Sequence, residues 1–299
     1  MKCLNFGSLN IDMVYAVGHC VTPGETESAD KLEYFPGGKG LNQSIALAKA
    51  GAEVYHAGNV GKDGCMLIGE LKNNGVNTSL INTSDSPNGH AVIQVDKNGQ
   101  NSILVYGGAN HRVTSEQIDR VLSDFSDSDI LFLQNEINAV GEIIDKAYKK
   151  NIRIVFNPSP FTDEIMNYPL DKISWLVVNE TEAYRLTGET QTDRIFDVFK
   201  KQYPNSDTLL TLGENGAYCL YKGQKYFHPI YNTSVVDTTA AGDTFLGFFF
   251  ANIDSHGISD SLKTASAAAA IAVSRNGASV SIPTSDEVDE FIKNKQYSI

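Results

Sequence analysis

Short apolar runs bounded by turn residues alternate with amphipathic stretches along most of the chain. Leu4 to Leu9 precedes a helical pattern that begins after Gly40, and Val54 to Ala57 precedes another that runs to Asn73. Ile130 to Leu133, Ile152 to Phe156, Trp175 to Val178 and Thr208 to Leu212 are brief and almost uniformly apolar, the pattern of strands covered on both faces. Val140 to Lys149, Thr181 to Leu186 and Arg194 to Lys201 read as helices between and after them. Strand–helix alternation of this kind predicts an α/β fold built on a doubly wound, largely parallel sheet.

Two regions break the rhythm. Ile11 to Tyr34 contains Thr22-Pro23-Gly24, and Gly89 to Tyr106 places His90 to Val95 and Ser102 to Tyr106 on either side of an Asp96-Lys97-Asn98-Gly99 turn. The second reads as a hairpin. Such strands form either a small sheet that projects beside a ligand crevice as a lid, or an antiparallel edge of the main sheet. With no low-complexity linker, the expectation is one domain over residues 1–299 with lid segments near 11–34 and 89–106.

Charge narrows the choice of partners. Lys and Arg number 24 against 36 Asp and Glu, a net charge of −12, which argues against nucleic acid and anionic membranes. A polyanionic ligand must then be held by helix N-termini, a few cationic side chains and a divalent cation. Cys3, Cys20, Cys65 and Cys219 are widely spaced with no C-x-x-C, which suggests neither zinc nor disulfides and fits a reducing cytoplasm. Asn5, Asn10 and Asp12 interrupt any signal-peptide core, and Phe245 to Ile253 is too short to span a bilayer.

The most informative stretch is Asp237-Thr238-Thr239-Ala240-Ala241-Gly242-Asp243 ahead of an apolar helix. Small residues at Ala240, Ala241 and Gly242 let a phosphate approach free N–H groups of the first turn, with the positive end of the helix dipole behind them. Asp243 beside them is placed to accept a proton from an attacking hydroxyl. The plain alternative is a capped, buried helix. Gly37-Gly38-Lys39-Gly40-Leu41-Asn42-Gln43 also joins a loop to a helix, and Asn10, Asp12, Asn135 and Glu136 follow strands, where open α/β sheets bind ligands. Carboxylates and amides in such places suit a polyol, although each is equally a turn former or cap.

Asn179-Glu180-Thr181-Glu182 opens a helix either as a capping box or as a water-mediated Mg²⁺ site near phosphates. Thr211-Leu212-Gly213-Glu214-Asn215-Gly216 ends a strand with room for a nucleotide, or is a tight turn into Ala217 to Tyr221. There is no Walker A loop and no G-x-G-x-x-G fingerprint.

In their order, Asn10-x-Asp12, the glycine-rich segment 37–43, Asn157-Pro158-Ser159-Pro160, Asn179 to Glu182 and Asp237 to Asp243 resemble the motifs of the PfkB carbohydrate kinases, most closely the ribokinase branch. The likeness runs from Leu4 to Phe291. It implies a ribokinase-like three-layer α/β/α fold with a small β-sheet lid that pairs subunits into a homodimer. It also implies transfer of the ATP γ-phosphoryl group to the 5-hydroxyl of D-ribose.

On matching positions, Asn10, Asp12, Gly38, Lys39, Gly40, Asn42 and Glu136 would hold the sugar, Asp243 would be the base, and residues 240–243 would form the anion hole. Asn179, Thr211 to Gly216 (Thr211, Leu212, Gly213, Glu214, Asn215 and Gly216), Gly242 and Ser266 would line the nucleotide site. Mg²⁺ would sit near Asn179 and Glu182 through water. An activating K⁺ would be held by the loops carrying Asp237, Thr239, Ala272, Arg275, Gly277 and Ser281. Met66, Leu41 and Asn135 depart from the family's usual residues, and the last two flank the inferred sugar pocket. Fructose, deoxyribose or a keto-deoxy acid are therefore alternative acceptors, and a catalytically silent sugar-binding protein is the alternative of another class.

Overall fold

The computed structural model describes residues 1–296. Strand β1 (Lys2–Phe6) starts the main sheet, and the chain then crosses to a second sheet with β2 (Asn10–Ala16) and β3 (Lys31–Gly37) before α1 (Lys39–Lys49). β4 (Glu53–Val60), α2 (Cys65–Asn73) and β5 (Asn77–Thr83) return to the main sheet, and β6 (Gly89–Val95) and β7 (Asn101–Tyr106) go back to the small one. The remainder is α3 (Ser115–Ser123), β8 (Ile130–Gln134), α4 (Val140–Lys149), β9 (Arg153–Asn157), β10 (Trp175–Asn179), α5 (Glu180–Thr187), α6 (Thr192–Gln202) and β11 (Asp207–Thr211). It ends with β12 (Ala217–Tyr221), β13 (Gln224–His228), α7 (Ala241–Val273) and α8 (Ser285–Gln296).

The main sheet has nine strands in the order β13-β12-β11-β10-β9-β8-β1-β4-β5. It is parallel from β5 to β11, and β12 and β13 add an antiparallel edge. Alternate residues of each strand feed two separate cores. Ile130 and Phe132 of β8 pack with α1 and α7, whereas Leu131 and Leu133 pack with α3, α4, α5 and α6. Both faces are therefore covered by helices, which explains why these strands read as continuous apolar runs rather than as alternation.

The small sheet has the order β3-β2-β6-β7. The hairpin expected over 89–106 is present, with β6 and β7 antiparallel. The other pair extends past both ends of the 11–34 segment, and β2 runs parallel to β6. Other boundaries differ from expectation as well, β4 running on to Val60 and α6 starting at Thr192. β1 stops at Phe6 because Gly7 to Leu9 cross between sheets, and β11 ends at Thr211, leaving Leu212 in the following turn.

Close helix packing brings the functional segments together. A β-carbon on Gly247 of α7 would lie 2.4 Å from that of Ala46 on α1, so only glycine allows this approach. It sets the first turn of α1, residues 39–43, against the first turn of α7, residues 241–243. α7 is interrupted at Gly257, whose φ of 76° and ψ of 174° leave helical space.

Candidate active site

Three segments meet at the carboxyl end of β1. Gly38 adopts φ 95° ahead of α1, and a β-carbon on Gly40 would fall 2.3 Å from the backbone nitrogen of Ser8. This contact lets Glu136, just beyond β8, bind across the junction: its Oε2 accepts from Ser8 Oγ at 2.5 Å and from the Lys39 N–H at 2.9 Å. Burial pushes the Glu136 carboxyl above its ordinary range, against the opposing pull of Lys39 and Ser8.

Asn10 and Asp12 face the same region from β2. Asn110 Oδ1 accepts from the Leu9 N–H at 3.0 Å, so its amide nitrogen faces Asn10 Oδ1 and donates to it at 2.7 Å. Asn10 is thereby left with its NH₂ group to offer. Asp12 packs against Gly37, where a β-carbon would come within 2.1 Å of Oδ2. Its carboxyl is pushed up to about 7, first by burial and second by Glu136.

Asp243 lies in the first turn of α7 with only 8% of its surface exposed. Gln43 Nε2 donates to Oδ1 at 2.9 Å and Asn42 Nδ2 approaches Oδ2 at 3.4 Å. Ala240 is left-handed at φ 59° and caps the helix. The four N–H groups of residues 240–243 are not all free, contrary to expectation: Ala241 donates to Thr238 O at 3.2 Å. Gly242 and Asp243 keep theirs unpaired among the described residues, and nothing lies within 4 Å of a β-carbon built on Gly242.

Lys39 is half-buried among Asp243, Glu136 and Glu182; desolvation lowers its pKa, but the three carboxylates outweigh that and raise it. The ammonium, Asp243, Glu182 and Gly242 share a cavity of about 190 Å³. A larger cavity of about 450 Å³ adjoins it, lined among others by Thr211, Gly213, Glu214, Gly216, Gly242 and Ser266. Asn179 and Gly242 line both. Leu212 and Asn215 do not line it: Leu212 packs onto the core beneath, and Asn215 donates its N–H back to Leu212 O within a tight turn.

The capping box is formed at α5, where Asn179 Oδ1 accepts from the Glu182 N–H at 2.9 Å and Glu182 Oε2 from the Asn179 N–H at 3.0 Å. Burial raises the Glu182 carboxyl. Three carboxylates around one ammonium leave the pocket net negative, which fits a divalent cation. No cluster of three metal-ligating His, Cys, Asp or Glu side chains occurs among the described residues, so such a cation must keep water and phosphate oxygens as ligands.

Asp237 joins two loops, its Oδ1 accepting from the N–H and hydroxyl of Thr239 and its Oδ2 from the Gly277 N–H at 3.0 Å. Burial raises its pKa, but these bonds outweigh it and hold the carboxyl low. Oxygen donors on adjacent loops suit a hard monovalent cation. Of the other residues expected there, Arg275 points its side chain to Glu287 and gives its N–H to Ala272 O, and Ser281 Oγ donates to Ala278 O. Arg275 can therefore offer that site only its backbone, whereas Ser281 Oγ, a donor in its bond, keeps lone pairs.

Leu41 is fully buried in the core, and Asn135 binds Pro160 O and Thr162 Oγ1, so neither departure presents its side chain to Asp243 or Glu136. Met66 lies exposed on α2. Residues not anticipated are Ser8, Asn110, Gln134 and the segment around Tyr231 that walls the larger cavity. Gln134 carried one signal, as the polar end of an apolar strand.

No helix among the described residues is long and apolar enough to cross a membrane. The chain is 34% identical to a ribokinase of Haemophilus influenzae over 96% of its length and 97% of the relative's. A solved ribokinase of Thermotoga maritima superposes with a TM-score of 0.87 at 34% identity, covering 98% of this chain and 100% of that one. A ribokinase of Arabidopsis thaliana complexed with ribose and ATP gives 0.85 at 29% identity, covering 98% of each. Residues 2–285 match the pfkB family carbohydrate kinases, and with the site just described at the expected strand ends, the chain belongs to that family.

Proposed function

We propose that the protein is an ATP-dependent ribokinase that forms D-ribose 5-phosphate and ADP. The observation that carries the reading is the meeting of Asp243 with two unpaired N–H groups of α7, at the seam between a polar pocket and a nucleotide-sized cavity. In the reaction the acceptor hydroxyl gives its proton to Asp243, its oxygen bonds to the γ-phosphorus, and the bond to the β,γ-bridging oxygen breaks to release ADP. Gly242 and Asp243 N–H groups and Lys39 face the charge on the migrating group.

Asn10, Asp12 and Glu136 would bind the sugar hydroxyls, joined by Asn42, whose Oδ1 is buried without a partner and would accept from one. Gly38 and Gly40 let the start of α1 approach the backbone of residues 7–10 beside that pocket. The larger cavity takes adenosine, with Ser266 in its wall. Mg²⁺, held by water near Asn179 and Glu182, would supply charge neutralisation on the phosphates. K⁺ at the Asp237–Thr239 and 272–281 loops would steady the segment that carries the N–H donors, an indirect effect on rate.

We read residues 1–299 as one domain in which the small sheet is a lid. Its exposed apolar residues, including Leu104 at 72% and Tyr34 at 55%, support pairing with a second copy. A cytoplasmic location is supported by four free cysteines and by the use of ATP. A coupled ADP-release assay over ribose, deoxyribose, fructose and a keto-deoxy acid tests the function. Highest kcat/KM with ribose is expected; preference for another sugar, or sugar binding without ADP release, would overturn it.

A further inference from the structure

A ladder of buried amides runs from the core to Asp243. Asn5 Nδ2 donates to Gly40 O at 2.9 Å, which turns Asn5 Oδ1 toward Gln134. Gln134 Nε2 donates to that oxygen at 3.0 Å and to Gln43 Oε1 at 2.7 Å. With its oxygen so engaged, Gln43 must aim its NH₂ group at Asp243 Oδ1 and, at 3.4 Å, at Asn157 Oδ1. Asn5, Gln134 and Gln43 are each no more than 1% exposed, so water does not compete for these bonds. The ladder also needs Gly7, since a β-carbon there would lie 2.4 Å from Gln134 Oε1.

We propose that Gln43 is a positioning residue that pins Oδ1 of Asp243 and so assigns proton acceptance to Oδ2, with Gln134 and Asn5 fixing the direction of its amide. A reversed Gln43 would set an amide oxygen against a carboxylate oxygen, and the ladder forbids that reversal because it would also break the Gln134 bond. The other carboxylate oxygen receives only the long 3.4 Å approach of Asn42 and keeps lone pairs for the acceptor hydroxyl. The inference rests on Asp243 being the base and adds how that base is aimed.

The test uses Gln43→Met, Gln134→Met and their combination, with Asp243→Asn as reference, each checked for folding by thermal denaturation and assayed for kcat and sugar KM. Gln43→Met is expected to lower kcat by about 10- to 100-fold, the effect of losing one hydrogen bond to a charged group, while KM changes less than about threefold. Gln134→Met lowers kcat less, and the double variant is no slower than Gln43→Met, because both act through one bond.

A folded Gln43→Met with wild-type kcat, or a double variant whose loss is the product of the singles, overturns the proposal. If Gln43→Met does not fold, Gln134→Met decides: reduced kcat at unchanged KM supports the ladder, and unchanged kcat refutes it. Wild-type turnover by Asp243→Asn would remove the base itself. An inactive Asp243→Asn beside fully active glutamine variants would remove only the positioning role.

Discussion

If Asp12 binds the sugar as proposed, its surroundings tie sugar affinity to pH in a way that can be made quantitative. Desolvation of this partly buried carboxyl and, second, the charge of Glu136 push it up to about 7. Hydroxyl groups of a sugar donate to the ionised form, so the protonated form must lose its proton before it binds well. If only ionised Asp12 binds, the apparent Kd scales as one plus the ratio of protonated to ionised enzyme, and weakens about tenfold from pH 8 to pH 6. Calorimetric titration of ribose without nucleotide measures this free of ATP protonation. In Asp12→Asn the affinity is expected to be weak and nearly flat with pH, although Glu136, Glu182, Lys39 and Asp243 remain.

The stability of the free protein should move in the opposite sense. A folded-state pKa raised from 3.8 to about 7 gives a contribution present in full below the unfolded value and lost as pH rises through 7. The Tm advantage of Asp12→Asn over wild type should therefore grow between about pH 5 and pH 8. A wild-type Kd that is constant over this range, or a slope that survives in Asp12→Asn, would refute the reasoning.

Asp243→Asn should keep the fold and bind ribose but lose about 10²- to 10⁴-fold in kcat, as expected for a positioned general base, and a near-normal rate would remove the assignment. At equal ionic strength kcat should be higher in K⁺ than in Na⁺, and equal rates would exclude the Asp237 loops as a cation site. Light scattering should give about twice the 32.5 kDa chain mass, falling to that of one chain in Leu104→Glu; a monomeric wild type would contradict pairing through the small sheet.

The main sheet was readable because strands buried on both faces leave uninterrupted apolar runs, as in Ile130 to Leu133. β5, with only Leu80 and Ile81 among polar residues, and the polar-rich α3 and α8 lack such a signal and were not anticipated. At the site, motif order pointed to Asp243 and Lys39 and the end of a strand to Glu136, residues that the structure brings close together, since chemistry restricts residue type in such motifs. Ser8, Gln134 and Asn110 act by filling hydrogen bonds between segments 91 to 128 positions apart, and local pattern carries no trace of that. The expectation for Ala241 failed for a related reason: its N–H is taken by Thr238 O, a bond set by how the chain enters α7.

Asn10 and Asp12 stand on the four-stranded sheet, whereas Asp243, Asn179 and Gly216 belong to the nine-stranded body and its helices. On the proposed reading the acceptor pocket spans both sheets, since Asn42 and Glu136 also belong to the body, whereas the nucleotide cavity is lined by the body alone. Substitutions on β2, β3 and β6 would then adjust the fit to a polyol without touching the lining of the nucleotide cavity, a route to diversification that follows from the architecture.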